Sequence, residues 1–72
     1  MESFLFYGVG KSDEGKYFAI DEAQIKITKD INKFLSTNKK LICINLILKE
    51  IVYEGETCIC DMYAVLYYER II

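Results

Sequence analysis

Histidine and proline are both missing from the 72 residues. Without an imidazole, the chain lacks the side chain best suited to general base work near neutral pH. A zinc site is equally short of donors, because only Cys43, Cys58 and Cys60 accompany the carboxylates. Long apolar runs are missing too. The longest are too short to cross a bilayer and are broken by Lys49, Glu50 and Asp61. The first residues, MESFLFYG, lack the basic start and extended apolar stretch of a signal peptide, so the cytosol is the expected compartment. Charge of one sign is scarce as well: the net charge of −2 provides no general attraction to nucleic acid or to a membrane surface.

What is present points to a folded globule. Hydrophobic residues make up 53% of the chain and charged residues 28%, a balance that a disordered segment does not have. The length allows one domain, residues 1–72, with no room for a large enclosed pocket. A chain this short buries only about 60% of its unfolded surface, so its stability is marginal. Charge is unevenly placed. Lys26, Lys29, Lys33, Lys39 and Lys40 face only Glu22 and Asp30 over residues 22–40, whereas residues 41–72 are acidic. The odd cysteine count suits reduced thiols in apolar strands, and Cys58 and Cys60, two apart, share one strand face.

The local patterns predict an α+β fold in the order ββαββ: a β-hairpin, one helix and a second β-hairpin, forming an antiparallel sheet with the helix on one face. SFLFYGV (3–9) and KYFAI (16–20) read as strands around the turn formers GKSDEG. A helix from about residue 22 to 37 follows from Ala23, Ile27, Ile31, Phe34 and Leu35 at helical spacing. Asp21 and Gln24 provide a capping box, and Ile20 and Ile25 a hydrophobic staple. Residues 40–53 and 57–69 read as two long strands joined at Glu54-Gly55-Glu56. A three-residue turn puts Lys49 opposite Asp61 and lines one face with Ile42, Ile44, Leu46, Leu48 and Val52. A two-residue turn instead sets Leu48 against Asp61 and mixes charge into both faces. The first register is the expected one.

Its second face carries Ile47, Tyr53, Ile59, Tyr63, Val65 and Tyr67, half apolar and rich in tyrosine, with Asp61 among them. One helix covers only one side of a sheet. These six residues are therefore candidates for an interface, with a second copy of the chain as the simplest cover.

A second candidate lies in FYGVGKSDEGKYF, residues 6–18, which half-resembles a phosphate-binding loop. Gly10-Lys11-Ser12 matches the end of that motif, but Gly8 stands two residues before Gly10 rather than five, and the following segment reads as a strand. A nucleotide hydrolase is therefore not expected. The remaining readings are a hairpin tip, or a binding loop in which backbone amides at Gly8 and Gly10, with Lys11 and Lys16, hold an anion while Tyr7 and Tyr17 stack on a base. The helix lysines have no interleaved aromatics, which argues against single-stranded nucleic acid as a partner.

Residues 25–69 resemble a family of very small Firmicute and phage proteins known as sporulation-associated. The likeness rests on Ile31-Asn32-Lys33-Phe34-Leu35, an apolar strand after it, and the final Ala64-Val65-Leu66-Tyr67-Tyr68-Glu69. It implies a low-GC Firmicute or phage source and brings no catalytic residues. Together with the absent catalytic groups it implies a non-enzymatic protein that needs no cofactor. The expectation is a homodimer or higher homo-oligomer acting stoichiometrically, as a phage-type inhibitor that occupies a host defence protein. The alternatives are a sponge for a nucleotide signal at an oligomer interface, and a regulatory or structural sporulation protein.

Overall fold

Burial alternates residue by residue along Thr57–Arg70, from Cys58 through Cys60, Met62, Ala64 and Leu66 to Tyr68. A strand turns successive side chains to opposite sides, so this strand has one dry face and one half-open face. It is β3, the centre of a three-stranded antiparallel sheet in the order β1-β3-β2. The computed structural model describes residues 1–71. Within them β1 spans Glu2–Ser12, helix α1 Lys16–Leu35, and β2 Lys39–Glu54. A single helix on one face of an antiparallel sheet is the α+β architecture expected from the sequence.

The first hairpin differs from expectation. KYFAI is not a strand but the opening of α1, so the element order is βαββ. Ala19 extends the Ala23, Ile27 and Ile31 stripe one turn earlier, and all four are buried. β1 instead pairs with β3 along its whole length, from Glu2 opposite Tyr68 to Ser12 opposite Cys58. Long-range pairing with a regularly alternating strand outweighs a short local hairpin. The helix begins after Gly15, whose φ of 112° suits glycine, and no side chain caps it. Asp21 is thus an exposed residue inside the helix and not its cap. At the other end the Ser36 hydroxyl donates to the Lys33 carbonyl at 2.6 Å, and Asn38 turns the chain with a positive φ of 34°.

Gly8 and Gly10 determine how α1 sits. Both are buried in β1 against the helix. A Cβ on Gly10 would stand 1.8 Å from the Ala19 carbonyl oxygen, and one on Gly8 would stand 2.9 Å from the Ala23 carbonyl oxygen. Opposite them on β3 stand Cys60 and Met62. The first half of the helix thus lies directly on backbone, alanine and thiol. Its second half meets an aromatic cluster, in which the Phe34 ring lies 4.8 Å from Phe4, 5.4 Å from Phe6 and 5.0 Å from Tyr68. Close approach at one end and ring packing at the other hold α1 over β1 and β3.

β2 extends past this cover. Its residues are exposed except Lys39 and Ile51, which are half-buried. The long β2–β3 hairpin makes the molecule a slab of 50 × 18 × 13 Å. Its radius of gyration is 14.0 Å, against about 11 Å for a compact chain of this length.

The hairpin register corrects the expected one in part. Residues Cys43 to Leu48 pair as expected, with Ile44 opposite Leu66, Leu46 opposite Ala64 and Leu48 opposite Met62. Near the turn they do not. Glu54 pairs with Thr57 across a two-residue turn whose first residue, Gly55, has φ of 63°, as a type II′ turn requires. Lys49 is the extra residue of a bulge that reconciles the two registers, so Glu50, not Lys49, faces Asp61. The bulge also exchanges the faces beyond it. Val52 moves to the open side opposite Ile59, and Tyr53 moves to the helix side opposite Cys58. A second bulge at Ile42 removes that residue from the apolar row in which it was expected.

Candidate functional site

The side of the sheet away from α1 carries no cover among the described residues. β3 contributes Ile59, Asp61, Tyr63, Val65 and Tyr67, all half-buried by their strand neighbours alone. β1 adds Leu5 and Tyr7, 59% and 53% exposed. β2 adds Cys43, Asn45 and Ile47 opposite Tyr67, Val65 and Tyr63. The result is a long apolar face with tyrosines at its centre. Aromatic residues enrich interface cores because one side chain offers both apolar area and a polar tip. A face about 50 Å long and 13–18 Å wide is of the order of the ~800 Å² that each partner contributes to a standard protein interface.

Five of the six residues expected at an interface share this face: Ile47, Ile59, Tyr63, Val65 and Tyr67. Tyr53 does not, because the bulge at Lys49 turns it to the helix side. Tyr7 and Leu5 belong to the face but were missed there. The signal was the alternation of β1 itself, in which Phe4, Phe6, Gly8 and Gly10 point to the helix and Leu5, Tyr7 and Val9 away from it.

The loop-like candidate site is dispersed. Gly8 and Gly10 lie inside a strand under the helix rather than at a hairpin tip, and their backbone pairs with Met62 and Cys60. Tyr7 and Lys11 point to the open face. Lys16 and Tyr17 belong to the first turn of α1, where the Lys16 ammonium sits 5.2 Å from the Tyr17 ring centre. The six residues are not gathered on one surface. Shallow surface hollows lie elsewhere, at Thr37, Asn38, Lys39, Arg70 and Ile71, and on the helix around Asp21, Ile25 and Thr28.

Beside Lys11, a pair of acids interrupts the open face. Asp61 stands directly opposite Glu50 on β2 and Val9 on β1. Like charges across a strand pair are unfavourable, and here one of the two carboxylates, Asp61, is half-buried. The Tyr7 phenol is held above its ordinary range, first by loss of solvent around it, then by Asp61 and last by Glu50. As pH rises through the ordinary phenol range, the unfolded chain loses its Tyr7 proton before the folded one, so stability falls with pH there. Replacing Asp61 with asparagine is expected to lower the Tyr7 titration midpoint. The check is phenolate ultraviolet absorbance, with a Tyr7→Phe chain identifying the transition. An unchanged midpoint in Asp61→Asn would refute the contact.

On the dry side, Cys58 and Cys60 are free and fully buried, and Cys43 is free and exposed. Burial first, then Cys58 and Asp61, raise the Cys60 thiol above its ordinary pKa, the opposite of what a reactive thiolate needs. Among the described residues, no group of three or more histidine, cysteine or acidic side chains is placed to hold a metal, and no helix is long and apolar enough to cross a membrane. Comparison with protein-family models, with curated proteins and with solved structures finds no match to this chain.

Proposed function

We propose that this chain is a small non-enzymatic binding protein that acts stoichiometrically in the cytosol as a homo-oligomer, by occupying the surface of another protein. The observation that supports the reading is the uncovered sheet face, apolar and tyrosine-centred, among the described residues. A face of that kind recognises area and shape rather than a reacting atom. The partner class we favour is a host defence protein, with the chain as its phage-type inhibitor. The nucleotide-sponge alternative requires Tyr7, Lys11, Lys16 and Tyr17 to act together, and within one chain they point to different surfaces.

The test is functional. Wild-type protein and a Tyr63→Lys, Val65→Lys double variant are expressed in bacteria that carry defined defence systems, and phage plating efficiency is measured. Wild type is expected to restore plating against at least one system, and the folded double variant to lose that effect together with binding to the purified defence protein. Equal rescue by both chains, or no rescue against any system, would count against the proposal.

A further inference from the structure

We infer that two copies of this chain associate through the free edge of β2, pairing antiparallel about Asn45 to form one six-stranded sheet with both helices on the same side. This rests on the homo-oligomer reading above and specifies its interface.

The argument starts from the edges. The order β1-β3-β2 leaves β1 and β2 as the two outer strands. An outer strand presents unpaired backbone N–H and C=O groups, and proteins protect or use them. β1 has no loose apolar row on its inner side: Phe6, Gly8 and Gly10 are buried under α1, and Phe4, 48% exposed, is a single residue. β2 has one. Ile44, Leu46 and Leu48 point to the helix side, yet keep 41%, 45% and 47% of their surface exposed, since α1 leans toward β1. A second β2 laid alongside would bring the matching row of the other copy against these side chains.

The bulges and the charges select how the strands would meet. The run Cys43 to Leu48 is regular and uncharged between the bulges at Ile42 and Lys49. A two-fold axis perpendicular to a sheet places residues of the same face opposite each other. Centred on Asn45, it sets Ile44 against the partner's Leu46 on the helix side and Cys43 against the partner's Ile47 on the open side. Beyond these pairs, the two residues Leu41 and Ile42 of one copy oppose Leu48 and Lys49 of the other. The bulges therefore compensate, and Lys40 comes to face the partner's Glu50. Lys40 pairs with Glu69, and Glu50 with Asp61, which places both on the open side. The pairing thus puts an opposite charge beside the crowded Glu50–Asp61 carboxylates at each end, and side-chain amides of Asn45 meet on the axis. A pairing centred on Leu46 also keeps faces matched, but sets Lys40 against Val52 and leaves the carboxylates unrelieved.

The test is a charge exchange read by light scattering and by amide exchange. Wild type is expected at twice the 8.4 kDa of the chain, with slow-exchanging amides over residues 43–48. Lys40→Glu alone and Glu50→Lys alone should each weaken the dimer by about tenfold. Mixed in equal amounts they should form a heterodimer at near wild-type affinity, because each reversed charge then meets its opposite. Leu46→Lys, on an exposed side chain, should give a folded monomer in which those amides of residues 43–48 that point away from β3 exchange fast, while those bonded to β3 stay protected. A wild type that stays monomeric would overturn both this pairing and the homo-oligomer reading. A dimer that ignores all three changes but dissociates with Val65→Lys would overturn the edge pairing alone and assign self-association to the open face.

Discussion

Gly10→Ala is expected to lower the melting temperature by about 10 °C or more, or to prevent folding. The new Cβ would meet backbone and not a side chain, standing 1.8 Å from the Ala19 oxygen and 2.6 Å from the Ala23 nitrogen. A rotamer change cannot relieve that, so the helix would have to lift from β1. Overpacking of this kind costs roughly 1–3 kcal/mol or more. In a domain of this size each kcal/mol moves the midpoint by about 4–8 °C. Lifting α1 would also loosen the Phe34 ring cluster at its far end. Gly8→Ala should be milder, because its nearest contact, 2.7 Å away, is the Ile27 Cγ1, which can move, although the Ala23 oxygen at 2.9 Å cannot. Gly55→Ala serves as the control. It has open space around it and a φ of 63°, so it would lose only the backbone preference, about 1–2 kcal/mol. Thermal unfolding followed by circular dichroism gives the ranking. A Gly10→Ala protein that melts within about 3 °C of wild type would show that the close helix–strand contact is not what seats α1.

The second large effect is expected at Leu66. It is fully buried on the central strand, between Phe4 of β1 and Ile44 of β2. Truncation to alanine should cost about 2–5 kcal/mol, since a cavity at the middle of the sheet cannot collapse freely. That is a large share of the total for 72 residues, which at typical values amounts to about 4–11 kcal/mol. Leu46 lies one strand away on the same side, opposite Ala64, and is 45% exposed. Leu46→Ala should cost the isolated chain less than about 1 kcal/mol, and more where two copies pair through β2. Denaturant unfolding at low and high protein concentration separates these contributions. Equal losses at Leu66 and Leu46 in dilute solution would mean that β2 is covered in the monomer, contrary to the packing described here.

Much of the architecture was legible in the residue order, and the misreadings share a cause. The two long strands were plain because their apolar runs are uninterrupted by glycine or proline, and Gly55 with its acidic neighbours marks a turn. The helix was legible from Ala23 to Leu35 because the four-residue spacing runs through the whole segment, although AQIKIT at 23–28 also alternates as a strand would. Lys16–Ile20 was not, since KYFAI suits a strand by composition. Only the pairing of β1 with β3 removes the partner that a local hairpin would need. The Lys49–Asp61 pairing assumed one register for the whole hairpin. The short turn demands one register and the row of Ile44, Leu46 and Leu48 another, and a bulge serves both.

The candidate site divides the same way. Alternation alone placed Ile47, Ile59, Tyr63, Val65 and Tyr67 on one face, because side-chain direction in a strand is a local property of period two. That period also determined that Cys58 and Cys60 share a side, and the missing histidine already limited the chemistry. Three matters awaited the tertiary structure. One was that Gly8 and Gly10 seat a helix instead of forming a loop. Another was that Tyr53 leaves the open face. The third was that α1 covers β1 and β3 while β2 stands bare. Each depends on contacts between segments far apart in the chain, where backbone clearance and register are set by the partner strand or helix and not by the neighbours in sequence.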